Sequence, residues 1–351
     1  MTPDSSSESP SLARGATPPG QARATSGRDA DGLVSVIVPT YHRPLRLAMA
    51  VESILAQQLP EGHSLEVIIA VSDPHNEADV AAAEALTVDP RVRTVSAAGP
   101  GPARARNVGI AASSGSLLAF LDDDCVAQPG WLAAGIHALG KADLVQGRTT
   151  PEAEVPPLYH SVWVDPPSWL WESCNLLARR EAVEWAGLFD DAWNPTWRVG
   201  DHFGEDAEWG WRMVRSGARP AFVPEALVHH AVEPRDLRGF LRYHAKVRHF
   251  PQLFRSAPEA RQRFYHGYFV NRRHMVLTAS AALFLVAALS RLLGRRRAAG
   301  FAGALGLAAY VSPLRNPASA LTTEMGYRTL AEAVEFVTLA YSSVRWRRVL
   351  F

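Results

Sequence analysis

The sequence predicts an α/β protein with a mainly parallel sheet and helices on both of its faces, followed by an all-helical C-terminal module. Four short apolar runs alternate with helical segments between residues 34 and 121, an order typical of parallel sheets with crossover helices. Polar residues end several of these runs. The charge also changes along the chain, because residues 1–234 hold 17 Lys and Arg against 30 Asp and Glu, whereas residues 235–351 hold 19 against 5.

The predicted sheet begins with a buried strand at residues 34–39, which leads through a loop into a helix at about 45–58. Ligands of parallel sheets bind at the carboxyl ends of the strands, so polar residues at those ends are candidates for one shared crevice. The further predicted elements are strands at 65–71, 92–95 and 116–121, a helix at 76–86, and a helix opened by the Pro- and Gly-rich loop at Gly99.

The chain is less regular beyond these strands. Residues 150–175 are rich in Pro and Trp without a clear period, which predicts a long loop lining a site. Helices are predicted at 179–186 and 205–216, and a strand at 220–228 ends in His229 and His230. We expect one domain over residues 32–234.

The segment before this domain has a different composition. Residues 1–31 are rich in Ser, Pro, Gly and Ala without an apolar core, which excludes a signal peptide and predicts a disordered leader. The two cysteines, Cys125 and Cys174, form neither a CxxC pair nor a zinc-ligand spacing. No disulfide framework is indicated, and a reducing cytosol is the simplest compartment.

The C-terminal module, residues 235–351, predicts contact with a membrane rather than with nucleic acid. It opens with a basic amphipathic helix. Two apolar stretches follow at 275–290 and 298–312, each shorter than the roughly 20 residues that span a bilayer. If the first stretch crossed outward, the arginines at 291 and 295–297 would oppose the positive-inside tendency. We therefore expect a helical hairpin at the membrane interface or packed on the protein.

The last predicted helix, residues 327–348, has an apolar seam. Its members follow a 4-3-4-3 spacing that could pair with another helix, so a homo-oligomer is an open alternative. They are Leu330, Val334, Val337, Tyr341 and Val344.

Three consecutive carboxylates, Asp122, Asp123 and Asp124, follow the apolar run at 117–121. Alternation along a strand would send Asp122 and Asp124 to one side, where they could bind one hard cation, and Asp123 to the other. Acidic turns after strands are also common without any ligand. Two further clusters, Glu205 with Asp206 and His229 with His230, lie at element boundaries and could add a general base and metal ligands.

Five motifs carry a family resemblance. The chain resembles family 2 nucleotide-sugar glycosyltransferases over residues 33–232, through VSVIVPTYHRP (34–44), GPARARNVG (101–109), FLDDD (120–124), GEDAEWGWR (204–212) and VPEALVHH (223–230), in that order. The resemblance implies a GT-A fold and inverting transfer from a nucleoside diphosphate sugar, with Mg²⁺ or Mn²⁺. The acceptor it favours is a hydroxyl of a lipid-linked or cell-envelope glycan.

The resemblance also implies which residues bind the donor. Asp73 would accept from the base and Asp122 would face the ribose, whereas an arginine of the second motif would suit phosphate. Arg106 could equally lie on a solvated helix face. Residues 73–79 depart from the family pattern, so the base stays open. The full implied donor set is Pro39, Thr40, Tyr41, Arg43, Asp73, Arg104, Arg106, Asn107, Asp122 and Asp123.

The remaining implied roles concern metal, base and acceptor. Asp206 would be the catalytic base with Glu205 beside it, unless both are ordinary acids at a helix N-terminus. The metal ligands would be Asp124 with Asp122, and His230 with His229 as its rival. The acceptor would contact Trp171, Asn175 and Trp197, although core packing explains most tryptophans.

Two other functions fit the sequence less well. A sugar-nucleotide pyrophosphorylase-like enzyme would need a Gly-rich phosphate loop after the first strand, where this chain has Pro39, Thr40 and Tyr41. A catalytically inactive, membrane-associated nucleotide-sugar-binding scaffold is the non-enzymatic alternative. The expected location is the cytoplasmic face of a membrane, as a peripheral or monotopic protein.

Overall fold

The computed structural model describes most of the chain. The described residues are 32–97, 99, 101–156, 158–193, 202–264, 266–268, 272–311 and 323–346. The predicted leader at 1–31 lies outside them.

The predicted alternation of strands and helices is present in the first part of the chain. The elements are β1 (Leu33–Thr40), α1 (Pro44–Leu55), β2 (Ser64–Val71), α2 (Glu77–Leu86), β3 (Val92–Ser96), α3 (Pro102–Ala112) and β4 (Leu117–Leu121). Pro44 and Pro102 each stand in the first turn of a helix, where the missing N–H costs no hydrogen bond.

The next part of the chain contains more regular structure than the sequence indicated. The predicted loop at 150–175 includes β7, and the last predicted strand is longer and contains both histidines. The elements are β5 (Cys125–Ala127), α4 (Trp131–Leu139), β6 (Leu144–Pro151), β7 (Tyr159–His160), β8 (Asn175–Arg179), α5 (Arg180–Ala186), α6 (Glu205–Arg215), β9 (Pro220–His230) and β10 (Glu233–Pro234).

An eight-stranded sheet in the order β3-β2-β1-β4-β8-β6-β9-β5 forms the centre of the fold. The strands β3, β2, β1 and β4 are parallel, β8 is antiparallel to β4 and β6, and β9 is parallel to β6. β1 lies between β2 and β4, so the strand order reverses there and opens a crevice at the carboxyl ends. Thr40 and Asp122 lie at this crevice.

Helices cover both faces of the sheet, as predicted. The alternating residues of β1 show this, because Val36 and Val38 belong to one buried cluster and Ile37 to another. Helices α1, α2 and α4 pack on the first cluster, and α3, α5 and α6 pack on the second. α6 therefore lies against the sheet and presents its N-terminus to the crevice.

The C-terminal region is helical, as predicted. Its elements are α7 (Leu237–His244), a 3-10 helix (Ala245–His249), α8 (Phe250–Ser256), a 3-10 helix (Pro258–Arg263), α9 (Arg272–Leu292), α10 (Arg296–Val311) and α11 (Thr323–Trp346). α9 is longer than the predicted apolar stretch, and its residues 274–292 are long and apolar enough to cross a membrane. The expectation that both apolar stretches are too short to span is wrong for this one, because His274 and the arginine-flanked last turn continue the helix.

The C-terminal helices share a core with the sheet domain. Phe250, Leu253 and Phe254 of α8 form one buried cluster with Ala207 of α6 and Leu339 of α11. The face of α6 that points away from the sheet is therefore covered by the helical module.

Candidate active site

The aspartate triplet forms a turn after β4 rather than an extension of the strand. The predicted alternation therefore does not apply. Asp123 and Asp124 are buried and both contact Arg43, at 3.2 Å each, whereas Asp122 turns to Arg106. The turn divides the three carboxylates between two cations.

Asp123 holds the loop between β1 and α1. It accepts hydrogen bonds from Thr40 Oγ1 at 2.8 Å and from the Tyr41 backbone N–H at 3.1 Å. Burial and the charge of Asp124 raise the pKa of Asp123, whereas Arg43 and the two hydrogen bonds lower it. The net result is a pKa of about 7. The hydrogen bond between Thr40 and Asp123 thus holds both side chains in place at the predicted donor side of the crevice.

Arg43 is shared between this turn and the end of the sheet domain. Its Nε and Nη2 donate to the two carboxylate oxygens of Glu233 at 3.0 and 3.1 Å. Glu233 could not be predicted from sequence, because its partner lies 190 residues earlier in the chain.

A metal-binding arrangement forms at Asp124 and His230. His230 Nε2 lies 3.5 Å from Asp124 Oδ1. His230 Nδ1 lies 2.8 Å from the Ala231 carbonyl oxygen, so a proton on Nδ1 leaves the Nε2 lone pair directed at the carboxylate. In the part of the chain that the structure describes, one set of ligand atoms lies within 4.8 Å of one another, those of Asp124, Cys125 and His230.

The ligand atoms of Asp124 and His230 fit the ion that the family resemblance implies. A carboxylate suits Mg²⁺ or Mn²⁺, and an imidazole is a ligand of transition-metal ions, so the pair fits Mn²⁺ better than Mg²⁺. Burial raises the pKa of the Cys125 thiol, which keeps it protonated beside the carboxylate. His229 points to the other side of β9, and its Nδ1 lies 2.9 Å from Thr150 Oγ1. The geometry therefore favours His230 over its neighbour.

The side of the crevice where the sequence predicted nucleoside binding is built by the loop after β1 and the end of β2. The rings of Tyr41 and His42 stack at 4.0 Å, and His42 Nε2 lies 3.1 Å from Asp73 Oδ2. The hydrogen bond from His42 lowers the pKa of Asp73. His42 has a φ of 58°, which is uncommon for a residue other than glycine. Sequence reasoning missed His42, which the loop holds against the predicted base-binding carboxylate.

The three polar residues predicted on α3 have different environments. Arg106 is buried, and its Nη2 donates to Asp122 at 2.7 Å. Its Nε and Nη1 have no hydrogen-bond partner among the described residues. Arg104 is half-exposed, 3.9 Å from Asp191, which is too long and too solvated to contribute much.

The Asn107 side chain is occupied by the backbone of Phe189. It donates to the Phe189 carbonyl at 2.8 Å and accepts from the Phe189 N–H at 2.9 Å. Both polar ends of the Asn107 amide thus fasten α3 to this segment, and its contact with the donor stays a prediction.

The predicted base lies in the first turn of α6. Asp206 Oδ2 accepts from the Ser173 N–H at 3.3 Å, and its Oδ1 accepts from the Ala207 N–H at 2.9 Å. Burial raises the pKa of Asp206 well above its usual range, Glu205 adds to the rise, and Arg106 opposes it. A carboxylate with a raised pKa is a stronger base than an exposed one.

Glu172 supports the loop that reaches Asp206. Its carboxylate accepts from Ser168 Oγ at 2.7 Å and from Gln146 Nε2 at 3.2 Å. Burial raises its pKa. Sequence reasoning missed Glu172 and Ser173, because the irregular pattern around them carries no periodic signal.

Two of the predicted acceptor residues belong to the core. Trp171 is 5% exposed and Asn175 is 1% exposed. Asn175 accepts from Trp131 Nε1 at 2.8 Å and donates to the carbonyls of Arg148 and Ala226 at 2.8 and 2.9 Å. Burial encloses both side chains, and internal hydrogen bonds occupy the amide of Asn175, so their contact with an acceptor stays a prediction. Trp197 lies outside the described residues.

The sheet with helices on both of its faces is a GT-A-type fold, and comparison with known proteins gives the family. The profile described as "Glycosyl transferase family 2" matches residues 35–184. The succinoglycan biosynthesis protein ExoM of Rhizobium meliloti is 31% identical over 229 residues, which cover 61% of this chain and 71% of that protein. The chain belongs to glycosyl transferase family 2 and is a glycosyltransferase.

Two further similarities are more limited. The pre-mycofactocin glycosyltransferase of Mycobacterium tuberculosis is 31% identical over 153 residues, and this chain spans 30% of its length. A mannosyltransferase from Pyrobaculum calidifontis, solved with GDP-Man and Mn²⁺, superposes with a TM-score of 0.55 at 19% identity, over 90% of this chain and 86% of that one. This second likeness concerns the fold.

Proposed function

We propose that the protein is a metal-dependent inverting glycosyltransferase that moves a sugar from a nucleoside diphosphate sugar to a hydroxyl of a lipid-linked or cell-envelope glycan. The reaction takes place at the cytoplasmic face of a membrane. The observation that carries the proposal is the position of Arg106. It donates to Asp122 of the aspartate turn, and the carboxylates of Glu205 and Asp206 stabilise its charge. Two motifs that are about 80 residues apart in sequence thus share one buried cation.

The donor side of the proposed reaction uses the loop after β1 and the aspartate turn. Tyr41, His42 and Asp73 offer a stacked surface and a carboxylate to the nucleoside. Asp124 and His230 would hold Mg²⁺ or Mn²⁺, which when bound neutralises the charge of the diphosphate leaving group. The solved mannosyltransferase contains GDP-Man and Mn²⁺, so this donor and ion are the first pair to test here.

The acceptor side uses Asp206. Its carboxylate takes the proton from the acceptor hydroxyl while the hydroxyl oxygen forms a bond to C1 of the sugar. The bond between C1 and the diphosphate oxygen breaks on the opposite face, which inverts the configuration. Ser173 directs the carboxylate by donating to Oδ2, and burial raises the pKa of Asp206 well above its usual range, which makes the carboxylate a stronger base.

The exposed apolar and basic surfaces of the C-terminal module support the proposal that the acceptor lies in a membrane. Apolar side chains of α9 and α10 are exposed, and the module is strongly basic. On α11, Leu330, Val337, Tyr341 and Val344 are also exposed. This seam supports pairing with α11 of a second copy as an additional part of the proposal.

The proposed chemistry is tested by replacing the base. A panel of nucleotide sugars is first screened by thermal unfolding with and without Mn²⁺, since a ligand that binds the folded state raises the melting temperature. Asp206→Asn should reduce turnover of the best donor by about 10²–10⁴-fold, because general-base catalysis contributes that much. The thermal shift caused by donor and Mn²⁺ should persist in the variant.

Asp89→Asn is the matched control, because Asp89 lies at the surface in a pair with Arg91, far from the crevice. It should keep the wild-type rate. A rate for Asp206→Asn above about a tenth of wild type contradicts the assignment of the base. A thermal shift that does not need a divalent ion contradicts the metal dependence.

A further inference from the structure

The hairpin formed by α9 and α10 stands away from the rest of the protein. The two helices pack on each other, and Ala302 is buried between them while Gly303 faces Ala287. Small residues at such a contact let two helices approach closely, as is common in lipid. Beyond the first turns of α9, most side chains of the hairpin are exposed.

The exposed surface of the hairpin is apolar on several sides. Its large exposed side chains are Phe284, Leu285, Val286, Leu289, Phe301 and Leu305. Only 6% of the apolar window in α9 is buried. A helix that is apolar all round is normally buried in a core or in a bilayer, and soluble monomers rarely expose apolar patches of this extent.

Charged residues lie at both ends of this apolar region. At the turn, Arg291, Arg295, Arg296 and Arg297 are all exposed. At the base, His274 is fully buried, and Glu335 joins it to His244 of α7, at 2.9 and 2.6 Å. The exposed Arg238 and Arg242 of α7 therefore belong to the end of the hairpin that is fastened to the protein.

We infer that the α9–α10 hairpin inserts turn-first into an anionic phospholipid bilayer. The apolar middle lies in the hydrocarbon, and the four arginines of the turn bind lipid phosphates on the far side. Arg238 and Arg242 bind phosphates on the near side. The inference rests on the proposed membrane-facing function and specifies how the protein is held there.

The dimensions and charges favour a bilayer over a second protein copy as the occupant. The 21 residues of α9 extend about 32 Å, close to the roughly 30 Å of a hydrocarbon core. The 16 residues of α10 extend about 24 Å, and arginine side chains at a helix end reach the headgroups by snorkelling. A protein partner would cover one face, whereas this apolar surface extends around the hairpin and stops at arginines.

The charge balance also permits this orientation. Orientation follows the bias of Lys and Arg near the ends of the spanning segments rather than the presence of any one cluster. Within 20 residues outside positions 274 and 311, the sequence places seven arginines on the protein side, against four in the turn. The larger positive charge therefore stays on the side of the catalytic domain.

Cysteine accessibility of the full-length protein tests the inference. Cys125 and Cys174 are buried, so a membrane-impermeant maleimide reports on an introduced cysteine. Leu293→Cys places a thiol in the turn, and Leu237→Cys, the matched control, places one at the start of α7; both positions are exposed. In inverted vesicles of bacterial inner membrane, Leu237→Cys should be labelled, and Leu293→Cys should be labelled only after the vesicles are permeabilised.

Three outcomes overturn insertion. They are labelling of Leu293→Cys in intact inverted vesicles, extraction of the wild-type protein from the membrane by high salt, and a soluble full-length protein. A protein that resists extraction by salt and has a protected turn supports insertion.

The lipid class is tested by flotation of the purified protein with vesicles of phosphatidylcholine alone or mixed with phosphatidylglycerol. Binding should require the anionic lipid, and should weaken when Arg295, Arg296 and Arg297 are replaced by Gln; equal binding to both vesicles overturns the proposed requirement for an anionic bilayer.

Failure of the hairpin inference is distinguishable from failure of the proposed function. Metal-dependent turnover of the donor is measured in a detergent extract, where no bilayer is required. A protein that turns over the donor but fails the labelling test keeps its proposed chemistry and loses only the inserted hairpin.

Discussion

Arg106 is the residue at which the donor side and the base side of the crevice meet. An arginine buried with two unpartnered N–H groups is costly unless nearby charges or a ligand compensate. The described residues supply Asp122 at hydrogen-bond distance and the charges of Glu205 and Asp206. Arg106 therefore influences both how Asp122 is held and how readily Asp206, the proposed base, gives up its proton.

Replacing Arg106 by Met should change the pH dependence of turnover. Burial and Glu205 raise the pKa of Asp206, and Arg106 opposes that rise; without the guanidinium the pKa rises further. A base acts only when it is deprotonated. On acidification, the rate of the variant should therefore begin to fall at a higher pH than the rate of the wild type. The acid limb of kcat/KM should therefore lie at higher pH in the variant than in the wild type.

The control for this variant is Arg104→Met on the same helix. Arg104 is half-exposed and its carboxylate contact is long, so its acid limb should coincide with that of the wild type. An unshifted acid limb in Arg106→Met means that the arginine does not act on the base.

The residue types of the site could be predicted from the sequence far better than their contacts. Asp124, His230 and Asp206 carry chemistry that short motifs reveal. Glu233 and Glu172 could not be found, because their roles depend on partners from distant segments or on irregular loops. The burial of Trp171 could not be predicted either, because an indole that packs in a core and one that stacks on a sugar have the same sequence signal.

At the scale of elements, α6 is positioned by a close approach to the loop that precedes β8. Gly210 lies against the ring of Trp171, and a Cβ at this position would overlap the ring's Cγ. The same loop carries Ser173, which donates to Asp206. Because Gly210 has no side chain, α6 can lie close to the loop that carries Ser173, and Asp206 comes within reach of the Ser173 N–H.

Gly210→Ala should therefore destabilise the protein and slow the reaction. Overpacking a close contact typically costs about 1–3 kcal/mol, more than the gain of up to about 1 kcal/mol that alanine brings to a helix interior. Denaturant unfolding measures the first effect and donor turnover the second. Gly300→Ala on α10 is the matched control, since a Cβ there meets no atom within 4 Å. Equal stability of the two variants contradicts the role of the contact.

Strands β1, β2 and β4 could be predicted because each is a buried apolar run with a turn signal after it. β5, β7 and β10 could not, since each has only two or three residues and its hydrogen bonds are made to distant strands. The aspartate triplet shows the same limit. Its three carboxylates follow a strand in sequence, but a turn rather than the strand period decides where they point.

At the scale of the whole molecule, the change of charge at about residue 235 is not a break in packing. Net negative and net positive regions meet in an apolar cluster that contains Ala207 of the catalytic helix and Leu253 of α8. The module that we propose faces the membrane therefore also supports the helix that carries the proposed base. The hairpin, in contrast, adds exposed surface and contributes little to this core.

A matched pair of Leu→Ala substitutions separates these two parts of the C-terminal module. Leu253 is fully buried in the shared cluster, whereas Leu285 is 61% exposed on the hairpin. In detergent, Leu253→Ala should lower the free energy of unfolding by about 2–5 kcal/mol, the usual cost of such a cavity, and should reduce turnover because α6 loses support. Leu285→Ala should change stability by less than about 0.5 kcal/mol. If Leu253→Ala leaves both stability and turnover unchanged, the catalytic helix does not depend on the C-terminal module.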